Sequence, residues 1–190
     1  MVDKLPNTSD DGILSLERIK TIPGYPGDER IEKGPVVVIE CDEDIPCNPC
    51  EDICPKKAIT VGEPITNLPR IDPVKCDGCI VCISICPGLC MFVVHKNYSK
   101  TESLIHIPYE MHPLPKKGMV VNGCDRSGER VCDARVEKVI ESKKLNKTSI
   151  VAVAVPKAYF ETVRAIRFED RKSTRLNSSH AQLSRMPSSA

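Results

Sequence analysis

The cysteine pattern constrains this chain more than anything else in it. Of 11 cysteines in 190 residues, nine fall between Cys41 and Cys90, and eight of those form two runs. The first run is Cys41-x5-Cys47-x2-Cys50-x3-Cys54-Pro55, and the second is Cys76-x2-Cys79-x2-Cys82-x3-Cys86-Pro87. The second run has the bacterial iron–sulfur spacing C-x2-C-x2-C-x3-C-P. Three thiolates at that spacing wrap one loop around three irons of a cubane. The fourth is directed away from the loop and, in two-cluster proteins, ligates the other cluster. The proline after it stops the local turn and fixes chain direction.

The two runs are an internal repeat at an offset of 32 residues. Cys47, Cys50, Cys54 and Pro55 map onto Cys79, Cys82, Cys86 and Pro87, and Ile59 and Val61 map onto Met91 and Val93. Under the crossed rule, Cys41, Cys47, Cys50 and Cys86 hold one [4Fe–4S] cluster (cluster 1), and Cys76, Cys79, Cys82 and Cys54 hold the other (cluster 2). The first run departs from the pattern, because the repeat puts Asp44 where a cysteine belongs. The expectation is that Cys41, three residues earlier, supplies the thiolate on a longer loop. The alternatives are ligation by Asp44 or a three-iron cluster. A zinc ribbon, with two separated C-x2-C pairs, fits two tight runs ending in Cys-Pro poorly.

Composition narrows the class of function. The N-terminus lacks the apolar core of a secretory signal, and no apolar run approaches the roughly 18 residues of a membrane span. Cysteines in such a chain point to metal or redox chemistry in a reducing cytoplasm rather than to disulfides. Residues 1–97 carry 16 acidic and 10 basic side chains and residues 98–190 carry 10 and 17, so the charge reverses near residue 97. Aromatics are 4% with no Trp, and positive charge is too thinly spread for a nucleic-acid binder.

The expected organisation is therefore an extension over 1–35 with one short helix, a cysteine-bearing domain over 36–97, a β-rich domain over 98–168 and a tail over 169–190. Strands are expected at Val36–Ile39 and Met91–His95, then at 104–107, 119–122, 131–140 and 149–155, with a closing helix over 157–166. The tail is Ser-rich and without apolar periodicity, which reads as disorder. Its stretch 172–180 is similar to translated sequencing-adapter sequence, so no function is assigned to it.

The remaining cysteines carry less. Cys90 maps onto Ala58, a small apolar slot, and reads as core rather than ligand. Cys124 and Cys132 flank a turn and could face each other across strands. His95, His106, His112 and His180 have no ligand-like spacing and read as structural or surface residues.

Several stretches resemble a distinctive family of dicluster ferredoxin-type proteins. They are IECDEDIPCNPCEDICPKKAI (39–59), VGEPITNLP (61–69) and CDGCIVCISICPGLCMFVV (76–94), with further similarity from about residue 12 to 168. Members are similar to small iron–sulfur subunits of flavin-dependent proline or hydroxyproline dehydrogenases, largely of anaerobic bacteria. The resemblance implies an α+β architecture: a bacterial-type dicluster ferredoxin fold followed by a small barrel- or sandwich-like β domain. It also implies Cys41 as the ligand, two [4Fe–4S] clusters and a flavoprotein dehydrogenase partner. With no nucleophile–base pair or phosphate-binding loop in the sequence, the expected role is non-catalytic transfer of single electrons. A free-standing ferredoxin carrier is the alternative. Ile45, Pro46, Ile53, Ile80 and Ile85 are expected to shield the clusters from water. Asp42, Glu43, Asp44, Glu51 and Asp52 are expected to put negative charge beside the first loop.

Overall fold

Four consecutive β-branched residues make β1 (Val36–Ile39), buried along its whole length. The computed structural model describes residues 12–141 and 148–168, so the tail lies outside the described residues. Ahead of β1 stand two short helices, α1 (Leu16–Thr21), capped by the Ser15 hydroxyl, and α2 (Asp28–Glu32). The cysteine loops carry α3 (Pro49–Ile53), the short strands β2 (Ile59–Thr60) and β3 (Arg70–Ile71), and a 3-10 helix at Val81–Ile85. Then follow β4 (Met91–His95), β5 (Glu102–Tyr109), β6 (Val120–Cys124), β7 (Arg130–Ile140), β8 (Ser149–Pro156) and β9 (Ala165–Arg167).

One antiparallel sheet of seven strands, in the order β1-β4-β5-β8-β7-β6-β9, dominates the structure, and β2 and β3 form a separate pair. The expected α+β class, a dicluster ferredoxin fold followed by a β barrel or sandwich, is therefore corrected to a mostly β architecture. The reason lies in β4. One edge of it pairs with β1, through Ile39 opposite Met91, and the other pairs with β5, through Val93 opposite His106. The charge reversal near residue 97 marks only the turn between two neighbouring strands. The helix expected over 157–166 is also absent. A 3-10 turn (Lys157–Tyr159) stands there instead, followed by β9, which pairs with β6. Apolar spacing in 159–166 serves turn packing, with Val163 fully buried.

Two cores meet at β1 and β4. Val38, Phe92 and Val94 face an aliphatic core with Ile105, Ile107, Val151 and Val153. Val37, Ile39, Met91 and Val93 face a second core shared with Cys50, Cys54, Cys82, Ile59 and Ile71. Strands buried on both faces lose the polar alternation of half-exposed ones. The Pro23–Gly24 segment ties this region together. Ile71 N–H donates to the Pro23 carbonyl and Ile39 N–H to the Gly24 carbonyl, both at 3.1 Å. A Cβ on Gly24 would stand 2.4 Å from the Ile39 carbonyl oxygen, so only glycine fits.

Candidate iron–sulfur sites

The 32-residue repeat is present in the backbone. Helix α3 (Pro49–Ile53) and the 3-10 helix (Val81–Ile85) occupy equivalent positions. Each ends on a cysteine of nearly the same conformation, Cys54 at φ −69°, ψ 108° and Cys86 at φ −72°, ψ 113°. Three residues on, Lys57 and Leu89 both take left-handed backbone, at φ 50° and 51°. Their N–H groups close matching turns onto the Cys54 and Cys86 carbonyls. Left-handed backbone is costly for non-glycine residues, so its recurrence at both sites marks a shape the loops need.

These turns send each fourth cysteine across to the opposite loop. Cys54 lines a pocket with Cys76, Cys79 and Cys82, walled by Val37, Ile59 and Val93. Cys86 lines a second pocket with Cys41, Cys47 and Cys50, walled by Ile45, Pro49 and Met91. Each pocket brings together the residues of one expected set, with Cys90 added beside Cys86. Cys50, Cys54 and Cys82 are buried, and Cys79 is exposed.

Electrostatics show how closely the thiols gather. Burial raises the Cys82 thiol, and the neighbouring Cys76, Cys79 and Cys54 raise it further. Burial pushes Cys50 up to about 12, with Cys86 and Cys47 adding to it. Cys47 and Cys79 are raised, in each case first by burial. Four thiolates in such apolar pockets repel one another unless cationic metal lies between them, and a four-iron cube suits that donor set. Among the described residues no group of three or more His, Cys, Asp or Glu side chains is placed to hold a metal ion.

Side chains that the cysteine spacing did not reveal hold the loops. Cys41 sits between two anchored carboxylates. Arg18 donates two hydrogen bonds, at 2.9 and 2.6 Å, to Asp42. On the other side Glu40 is buried and accepts from Arg126 at 2.8 and 2.6 Å and from Arg164 at 2.6 Å. Burial alone would raise the Glu40 carboxyl, but Arg164 and Arg126 outweigh it and hold it below its ordinary value. These clamps carry Cys41 into the pocket, and Asp44 stays exposed and off its wall. At the other site Arg30 donates to four carbonyls: Pro73 at 2.7 Å, Gly34 at 3.1 Å, Pro35 at 2.9 Å and Cys76 at 2.7 Å. Nothing in the local pattern marked these arginines, because most of their partners, apart from Gly34 and Pro35 for Arg30, lie far along the chain.

Other expectations met mixed outcomes. Cys90 is not merely core: it lines the first pocket, with its sulfur 3.5 Å from that of Cys86. Ile45, itself exposed, and Ile80 line the pockets, whereas Pro46 and Ile53, both exposed, and Ile85 line neither. Asp42 is paired with Arg18 and Glu51 accepts from the N–H groups of Val61 and Gly62, so Glu43, Asp44 and Asp52 form the exposed acidic rim. Cys124 and Cys132 are free thiols, and the ladder sets Cys132 opposite Gly123 rather than Cys124. His95 packs edge-on against Tyr98, and His106 is largely buried on β5 with its Nδ1 unpaired.

Comparison with known proteins gives one partial likeness. Over 45 residues the chain is 42% identical to one component of the Na(+)-translocating ferredoxin:NAD(+) oxidoreductase complex of Acetobacterium woodii. That stretch is 24% of this chain and 13% of that component. No protein-family description matches the chain, and no solved structure does. The match and the cysteine content support an iron–sulfur protein of ferredoxin-like character. Among the described residues no helix is long and apolar enough to cross a membrane.

Proposed function

We propose that this chain is an electron-transfer subunit carrying two [4Fe–4S] clusters. Cys41, Cys47, Cys50 and Cys86 hold cluster 1, and Cys76, Cys79, Cys82 and Cys54 hold cluster 2. The observation that carries this reading is the crossing of Cys54 and Cys86 into the opposite pockets. When bound, such clusters supply one-electron redox chemistry at potentials set by charge, hydrogen bonds to sulfur and solvent exposure. The chain's own residues do the rest. Pro49 and Met91 on one side, and Val37, Ile59 and Val93 on the other, wall the sulfurs from water. Arg18 and Arg30 fix the loops. Exposed Cys79 makes cluster 2 the point nearest solvent.

The chain works as a bound member of a redox complex in the cytoplasm, where thiols stay reduced. The partial match is to a component of such a complex. The resemblance of the cysteine stretches implies a flavin-dependent dehydrogenase of proline or hydroxyproline type as the partner. Anaerobic affinity purification of the chain at native expression level tests this. A flavoprotein recovered in fixed stoichiometry is the expected result. Recovery of the chain alone would overturn it in favour of a diffusing carrier.

A further inference from the structure

The two pockets differ at one repeat-related position. In the first, the residue four after the crossing cysteine is Cys90; in the second it is Ala58. Ala58 is buried and its N–H donates to the Cys54 sulfur at 3.2 Å. Cys90 places a thiol instead, 3.5 Å from the Cys86 sulfur. Its backbone is held, because the Cys90 carbonyl accepts from Glu40 N–H at 2.8 Å. The first pocket thus gathers five cysteines and the second four.

We propose that Cys90 is not a cluster ligand but a fifth thiol that donates its S–H to the ligand sulfur of Cys86, raising the potential of cluster 1. The inference rests on the two-cluster reading. Once Cys41 and Cys86 bind iron they carry no proton, so Cys90 is the only one of the three thiols left to donate. A donor to a ligand sulfur withdraws electron density and favours the reduced cluster, since hydrogen bonds to the sulfurs are among the factors that set these potentials. Cys41 keeps its place as ligand through the arginine clamps on Glu40 and Asp42, whereas Cys90 stands where the repeat carries a residue with no donor atom in its side chain.

The test is an anaerobic redox titration of the full chain, followed by EPR, for wild type, Cys90→Ala and Cys90→Ser, with iron counted in each. Ala58 shows that this turn tolerates alanine. Wild type should hold about eight irons; a lower count there would sink the two-cluster reading itself, separately from the role of Cys90. Cys90→Ala should keep the wild-type iron count while one of the two midpoint potentials moves down and the other stays. Cys90→Ser, whose hydroxyl still donates, should return that potential most of the way. Loss of iron in Cys90→Ala would make Cys90 a ligand and overturn the proposal. Unchanged potentials with full iron content would overturn it as well.

Discussion

Replacing Glu40 by glutamine removes one charge and almost no volume from the centre of the Arg126–Glu40–Arg164 triad. The side chains of Glu40, Arg126 and Arg164 are 6%, 16% and 5% exposed, so water cannot take over the role of the carboxylate. Arg164 also lies over the Phe92 ring at 5.1 Å, which holds its guanidinium in place. Breaking a buried pair by neutralising one partner costs about 3–5 kcal/mol, because a buried charge is left uncompensated. Here two cations share the one anion, so the full range applies. With a urea slope of about 2–3 kcal/mol per molar, the unfolding midpoint should fall by roughly 1–2.5 M. Far-UV circular dichroism under anaerobic urea at pH 7 reads this. Glu40 has its carboxyl held below the ordinary value of 4.5. Its stabilisation is therefore fully present above that pH and is lost as pH falls through the lowered value. The difference between wild type and Glu40→Gln should be constant near neutrality and shrink in acid. A midpoint shift under about 0.3 M at pH 7, well below that expected from the urea slope, would refute the reasoning. It would mean that the two arginines find other partners at little cost.

Three further outcomes follow from the same geometry. Cys54→Ala should expose Cys76, Cys79 and Cys82 to alkylation in the reconstituted protein while Cys41, Cys47 and Cys50 stay protected; mass spectrometry of the labelled peptides reads the pattern, and the reverse would mean that the ligand sets do not cross. Arg30→Met removes the donors to four carbonyls and should destabilise the chain by about 2 kcal/mol, with charged hydrogen bonds contributing about 1.5–3 kcal/mol each but part of the loss made good by water. It should also release iron to a chelator from cluster 2 sooner than from cluster 1, followed by absorbance and EPR. Gly24→Ala places a methyl against the Ile39 backbone and should cost about 1–3 kcal/mol as overpacking does, seen as a lower urea midpoint.

How much of this was legible in the sequence depends on the range of the interaction. The strands β1 and β4 could be read at their observed bounds because each is a continuous β-branched or apolar run. The internal repeat could be read because spacing in a thiol run sets which cysteines share a loop, and Lys57 and Leu89 repeat the same turn. The single sheet could not, because pairing of β4 with β5 across residue 97 leaves no local mark, and the charge reversal there suggested separation instead. β9 was missed because its three residues, Ala165–Arg167, are too few for a period-2 pattern to show. The role of Cys90 was missed because mapping it onto Ala58 gave the size of the slot and not what the slot faces. The arginine clamps join Glu40 to residues 86 and 124 positions away, beyond the reach of any window along the chain.

What occupies the two cysteine pockets decides whether this chain carries electrons. Anaerobic quantitation of iron and acid-labile sulfide, with EPR of the dithionite-reduced chain, tests it in one preparation. Two cubanes predict about eight irons and about eight sulfides per chain, with the signals of two interacting reduced clusters. About seven irons and a three-iron signal in the oxidised protein would mean that Cys41 does not complete cluster 1. Zinc without sulfide would contradict the electron-transfer account altogether.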